Sequence, residues 1–228
     1  MLLILAAVLP AAYLMWRVYR SDRLEREPPR LLIGLVLLGM ISTALAGAAE
    51  QLGDMIVSWF FDEGSAAYNV FFYFLVVGPA EEGFKYAVLR WRTWRHPAFN
   101  CQYDGVVYAV FVSLGFALWE NIGYVLMFGM QTAIARALTA VPGHACFGVF
   151  MGVWYGVAKR WELYGEAGRS KRARRLCVVV PALLHGCYDF IATLESESFV
   201  AIFFLFVIAM FITALRIVKR VARTDEYM

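Results

Sequence analysis

Glu81, Glu82, Lys85, Glu120, Arg136, His144, His185 and Asp189 fall inside stretches of this chain that are otherwise apolar. On insertion scales a charge at the bilayer centre costs about 2.5–3.5 kcal/mol, so such residues must pair, lose their charge or meet water. Residues that persist there are functional candidates by default. Their types suit hydrolysis. A desolvated carboxylate beside a second one can act as a general base toward water. Imidazoles such as His144 and His185, or an amide such as Asn121, can donate hydrogen bonds to a tetrahedral oxyanion.

The spacings refine this chemistry. Glu81 and Lys85 are four residues apart and Glu82 and Lys85 three, so either acid can pair with the ammonium on one helix face. The two glutamates point about 100° apart around a helix, so one can be held ionised by Lys85 while the other activates water. Glu82, farther along the chain from Pro79, is slightly favoured as the base. His185 and Asp189 are also four apart, which lets the carboxylate orient the imidazole and set its tautomer. Pro79 and Pro181 each remove a backbone donor just ahead of a candidate residue and could open their helices. The same inventory suits a metal: Glu82, Glu120, His144 and His185 could bind Zn²⁺ and leave room for a water. There is no HExxH helix, so the commonest zinc-protease signature is absent. The residues alone admit both a metal-free and a metal-assisted route.

Each residue taken singly has a plainer explanation. A lone intramembrane histidine usually packs through hydrogen bonds. A Glu–Lys pair on one helix can be purely structural. The ladder His144, Gly148, Gly152, Gly156 is a packing stripe that lets another helix come close. Arg136, near the outer end of its stretch, is expected to snorkel to the interface. The functional argument lies in the set and in its depth.

Seven elements must position these groups. Of 228 residues, 61% are hydrophobic and 17% charged, against about 25% charged in soluble domains. This excludes a soluble globule, a disordered tail and a disulfide-stapled module. The expected fold is an all-α, polytopic membrane helix bundle, a single transmembrane domain over 1–228. Stretches near 2–18, 31–49, 67–89, 105–128, 133–158, 176–194 and 199–218 meet the length needed to span. The second could continue through Met55–Phe61. The first lacks a basic lead-in and is read as a retained span, not a cleaved signal.

Nineteen of the 21 Lys and Arg residues lie in segments 17–30, 90–97 and 159–175 and at the C-terminal end, 216–223. The alternate connections carry acids instead: Glu50, Asp54, Asp62, Glu63, Glu195 and Glu197. The positive-inside rule then places the N-terminus outside and the C-terminus in the cytoplasm. The basic loops are topology signals that also meet anionic lipid; nucleic-acid binding is not expected. Cys101, Cys146, Cys177 and Cys187 avoid the outer connections, so no disulfide framework is implied. Counted inward from the basic side at 1.5 Å per residue, Glu82 lies roughly 10–12 Å deep, His185 about 14 Å, and Glu120, His144 and Asp189 about 20 Å. Four different helices thus bring ionisable groups to one layer.

The motifs resemble a known family. Pro79-Ala80-Glu81-Glu82-Gly83-Phe84-Lys85 is similar to the EExxK motif of the PrsW family of intramembrane proteases. Phe116 to Asn121 resembles its FxxxEN motif, with Tyr124 following; His144 to Gly148 resembles HxxxG; His185 to Asp189 resembles HxxxD. Asp104-Gly105 also looks like the family. The match covers about 68–190, which the resemblance marks as the catalytic core. The wider group includes CAAX prenyl endopeptidases and bacterial immunity-type membrane proteins. It commonly has Arg and His where this chain has Lys85 and Glu120, which favours the PrsW branch.

The resemblance implies an endopeptidase that cuts a membrane-anchored protein in the bacterial cytoplasmic membrane; in the family the known role is site-1 cleavage of an anti-sigma factor in a stress response. It implies Glu81, Glu82, Glu120, His144 and His185 as the catalytic set, supported by Lys85, Asn121 and Asp189. The family has been classed both as metalloprotease and as glutamate protease. The rival functions are a proton-coupled transporter, which would use the same acids and imidazoles as a relay, and a non-catalytic membrane scaffold. A transporter often shows inverted repeats, and none is evident in the sequence.

Overall fold

A computed structural model describes residues 2–194 and 196–228; Glu195, one of the acids assigned to an outer connection, lies outside the described residues. The helices are α1 (Leu2–Ser21), α2 (Pro29–Val57), α3 (Ala66–Phe71), α4 (Gly78–Thr93), α5 (Gln102–Phe128), α6 (Met130–Leu138), α7 (Ala140–Leu163), α8 (Ala167–Ala192) and α9 (Glu197–Arg223). Six helical runs are long and apolar enough to cross a membrane, with Met130–Leu163 taken as one of them. The remaining expected span, near 67–89, is helical throughout but is built from α3, a π-helical turn at Phe72–Val77 and α4. The bundle is an all-α membrane fold.

Pro79 explains the interruption. It has no N–H to give the carbonyl four residues back, and its ring crowds that carbonyl. The chain widens instead, and the Gly78 N–H reaches the Tyr73 carbonyl five residues back. A π turn of this kind adds one residue to a helix and is frequent at functional sites. Pro181 does not have the expected effect, because α8 runs unbroken past it. The basic segment 159–175 is also mostly helical: α7 continues to Leu163 and α8 begins at Ala167. The second span continues past residue 49 but ends at Val57, short of Phe61.

Helix α5 is the hub, buried almost without break from Tyr103 to Ala117. Helices α7, α2 and α1 pack around it. The glycine stripe on α7 makes this possible, since a side-chain carbon at Gly152 or Gly156 would run into the α5 backbone at Gly105 and Gln102. Close backbone approach at small residues is how membrane helices gain packing without a hydrophobic drive. Outward faces are apolar: Leu205, Ile208 and Ile212 of α9 and Ile33, Leu37 and Ile41 of α2 are all exposed. Such faces are stable in lipid and would be a liability in water. All four cysteines are free thiols.

The four basic segments gather at one end of the bundle. Lys159 Nζ donates to the Trp94 carbonyl at 2.9 Å, and Arg160 pairs with Glu226. The C-terminal tail closes that end, with the Met228 N–H on the Asn100 carbonyl at 2.7 Å and the Tyr103 N–H on Asp225 Oδ1 at 3.0 Å. Beneath it Asp104 caps α5, its Oδ2 accepting from the N–H groups of Cys101 at 2.6 Å and Asn100 at 3.0 Å. Glu27 accepts from the Tyr108 hydroxyl there.

Candidate active site

Lys85 is the centre of the buried polar cluster, and its side chain is fully enclosed. Its Nζ donates to Glu81 Oε2 at 2.9 Å and to Glu82 Oε1 at 2.8 Å, and lies 3.1 Å from His144 Nδ1. The α4 helix brings both acids to the ammonium, as spacings of three and four require. The Phe116 ring of α5 covers the ammonium, 4.0 Å from Nζ. An ammonium has only donors to offer. His144 Nδ1 must therefore accept, which leaves the ring proton on Nε2, 3.0 Å from Glu120 Oε2. The Ser113 hydroxyl fixes this turn of α7 by donating to the His144 carbonyl at 2.7 Å.

His185 stands on the other side of the glutamates. Its Nδ1 lies 3.1 Å from Glu82 Oε1 and 3.8 Å from Glu81 Oε2, and its Nε2 lies 3.4 Å from Asp189 Oδ2. Phe147 stacks on the imidazole with ring centroids 4.7 Å apart. The two imidazoles meet edge to face at 5.5 Å. Groups from α4, α5, α7 and α8 thus form one continuous network.

A cavity of about 430 Å³ opens beside the network. Glu81, Glu120, His144, His185 and Asp189 line it, with Arg136 and Tyr188 among the other polar lining residues. Glu82 does not; it is wholly enclosed beneath Lys85. Sequence position slightly favours Glu82 as the base, but of the pair it is Glu81 that borders the cavity. Rotation about the helix axis decides it, because adjacent residues point about 100° apart.

Three further placements differ from expectation. Arg136 does not snorkel. Its Nη2 donates to Glu120 Oε2 at 2.9 Å and its Nε to Asn121 Oδ1 at 2.9 Å, with the guanidinium over the Tyr124 ring. A half-buried acid at the same level, Glu120, outweighs the route to the interface. Asn121 turns toward α1, donating to the Ala7 carbonyl at 2.9 Å, so both ends of its amide are engaged away from the cavity. It braces Arg136 and does not border the cavity. Glu50, counted as an acid of an outer connection, is on α2 and lines the cavity. Arg136 was traceable in the sequence as one of only two cations outside the basic segments; nothing marked Glu50, Tyr188 or Phe147.

The four groups considered for zinc pair off two by two, Glu82 with His185 and Glu120 with His144. Among the described residues at this site, Glu81, Glu82 and His144 have ligand atoms within 4.8 Å of one another. The donor chemistry is right for a metal, but the point on which the three converge is held by Lys85 Nζ. A divalent cation placed there would overlap the enclosed ammonium, which already sits 2.8–3.1 Å from the same three donors, so the residues in this arrangement do not fit a metal.

Membrane-length helices surround a cavity lined by acids and imidazoles, the setting of an integral membrane protein with a polar site inside the bundle. A family model described as "PrsW family intramembrane metalloprotease" matches residues 27–215. The chain is 34% identical over 225 residues to a Protease PrsW of Halalkalibacterium halodurans, covering 98% of this chain and 99% of that one. It is 36% identical over 215 residues to the Protease PrsW of Oceanobacillus iheyensis, covering 94% of each, and 34% identical over 196 residues to that of Bacillus subtilis, covering 86% of this chain and 84% of the relative. No solved structure matches. The chain belongs to the PrsW family of intramembrane proteases, and it is an integral membrane protein of bacterial type.

Proposed function

We propose that Glu81 is the general base of a metal-free peptide hydrolysis within the membrane. The observation that carries this is the division of labour in the glutamate pair: Glu81 lines the cavity, while Glu82 is enclosed between Lys85 and His185. Glu81 takes a proton from a cavity water as its oxygen attacks the scissile carbonyl. The His185 ring edge that faces Asp189 stabilises the oxyanion. The proton held by Glu81 then passes to the departing amine as the C–N bond breaks. Glu82 and Asp189 hold His185, Lys85 pairs with Glu81, and the Glu120–Arg136–Asn121 chain holds His144.

The substrate is a membrane-anchored protein, and the family resemblance points to site-1 cleavage of an anti-sigma factor. The basic end of the bundle faces the cytoplasm by the positive-inside rule, which puts the N-terminus outside in the cytoplasmic membrane. Residues 68–190 carry the catalytic core. The test is cleavage of membrane-anchored candidate substrates in proteoliposomes. The full chain cuts, Glu81→Gln and His185→Ala do not, and all three insert equally; activity in both variants sinks the mechanism. A chelator leaves cleavage unchanged, and loss of activity restored by Zn²⁺ would reverse the metal-free assignment.

A further inference from the structure

A second cavity of about 520 Å³ lies between α1, α7 and α9, away from the hydrolytic network. Its body is apolar: Cys146 and Val149 of α7 form one wall, and Phe211, Ala214 and Val218 of α9 another. Its mouth is cationic. Arg17, Arg20 and Arg23, from the end of α1 and the turn after it, line it together with Lys219 of α9. No acid lines this cavity. None of the four cations makes an ion pair among the described residues. All four are exposed. Together they form a charged rim with no protein counter-charge over a greasy slot.

The dimensions match one half of a bilayer. From Phe211 to Ala222 the α9 wall rises through eleven residue steps, about 16 Å at 1.5 Å per step. A single leaflet contributes about half of the roughly 30 Å hydrocarbon core. Small residues on both walls, Ala145 on α7 and Ala214 on α9, leave the slot open between the helices. Basic pockets between membrane helices take anionic head groups. A free phosphate would satisfy the rim but leave the apolar walls unfilled.

We propose that this cleft is a binding site for an anionic glycerophospholipid, with one acyl chain along α7 and α9 and the phosphate on Arg17, Arg23 and Lys219. A zwitterionic lipid fills the slot but brings its own cation to a rim that already has four. The site would tie the N-terminal helix to α9 and to α7, the helix that carries His144.

The test uses full-length protein in detergent, supplied with equal phosphatidylglycerol and phosphatidylcholine and read by native mass spectrometry. Wild type retains phosphatidylglycerol preferentially. Replacing Arg17, Arg23 and Lys219 by Gln lowers that preference roughly tenfold to a hundredfold. Replacing Lys171, Arg172 and Arg175, which lie on exposed α8 positions off the cleft, removes the same charge and leaves it within about twofold. Ala214→Phe, which fills the slot and keeps the rim, displaces both lipids. Equal losses in the two charge triples, no preference in wild type, or retention in Ala214→Phe each overturn the proposal.

Discussion

Two places in this bundle enclose carboxylates almost completely, and they solve the problem differently. In the hydrolytic network Glu82 is 0% exposed, yet it has an ammonium at 2.8 Å and an imidazole at 3.1 Å. At the basic end Glu27 is 1% exposed and has no cation within pairing distance among the described residues. It accepts a tyrosine hydroxyl, and its neighbour Asp104 accepts backbone N–H groups at the start of α5. Burial pushes the Glu27 carboxyl up to about 7 and that of Asp22, in the same loop, up to about 6. One cluster supplies counter-charges, Lys85 on the glutamates' own helix and Arg136 from α6, and it has a cavity beside it. The other holds its protons more tightly than free carboxyls do, and it ties the α1–α2 connection and the C-terminal tail to the start of α5. Burial of an acid alone therefore does not mark a site; an enclosed counter-ion and a space for substrate do.

The sharpest way to break this contrast is to neutralise one glutamate in each place. Glu81→Gln should lower turnover by about 10²–10⁴-fold, the usual contribution of a general base, while Glu27→Gln leaves cleavage intact. Equal losses would erase the distinction. Next in size is Lys85→Met. It strands Glu81 and Glu82 without a cation and should cost about 3–5 kcal/mol, as breaking a buried ion pair does, seen as a lower unfolding temperature in detergent. Replacing Arg136 by Met frees Glu120 and removes one support of His144. We expect roughly a ten- to hundredfold drop in kcat, the scale on which orienting partners act, with KM little changed.

The smallest effect belongs to the basic end. A carboxyl whose pKa is raised by folding holds a proton that the unfolded chain has lost. Its contribution therefore weakens stability as pH rises from the ordinary carboxylate range to about 7, and acidification restores it. Wild type should melt a few degrees higher at pH 5 than at pH 8 from this source, and Glu27→Gln should flatten the difference. A variant that keeps the full pH dependence would assign it to other groups.

Much of this architecture was legible from residue order. Hydropathy and arginine placement delineate the rods, and the shared depth of Glu82, Glu120, His144 and His185 anticipates their meeting. What lay hidden depends on rotation about each helix axis. A one-residue change of phase turns a side chain by about 100°, so the order of Glu81 and Glu82 could not say which one meets the cavity. Arg136 needed knowledge of which helix α6 leans on. Of the acids at the basic end, Asp22 and Glu27 escaped notice because they lie in a connection that composition marks only as charged.

The widened turn at Phe72–Val77 has one more consequence. It acts as a single inserted residue, so the portion of this rod before it and the portion carrying the glutamates are offset in phase by roughly a quarter to a third of a revolution relative to an uninterrupted helix. That offset lets Phe72, Tyr73 and Val77 wall the same chamber that Glu81 enters. Ironing out the extra residue would give a more regular helix whose two halves no longer look into one room.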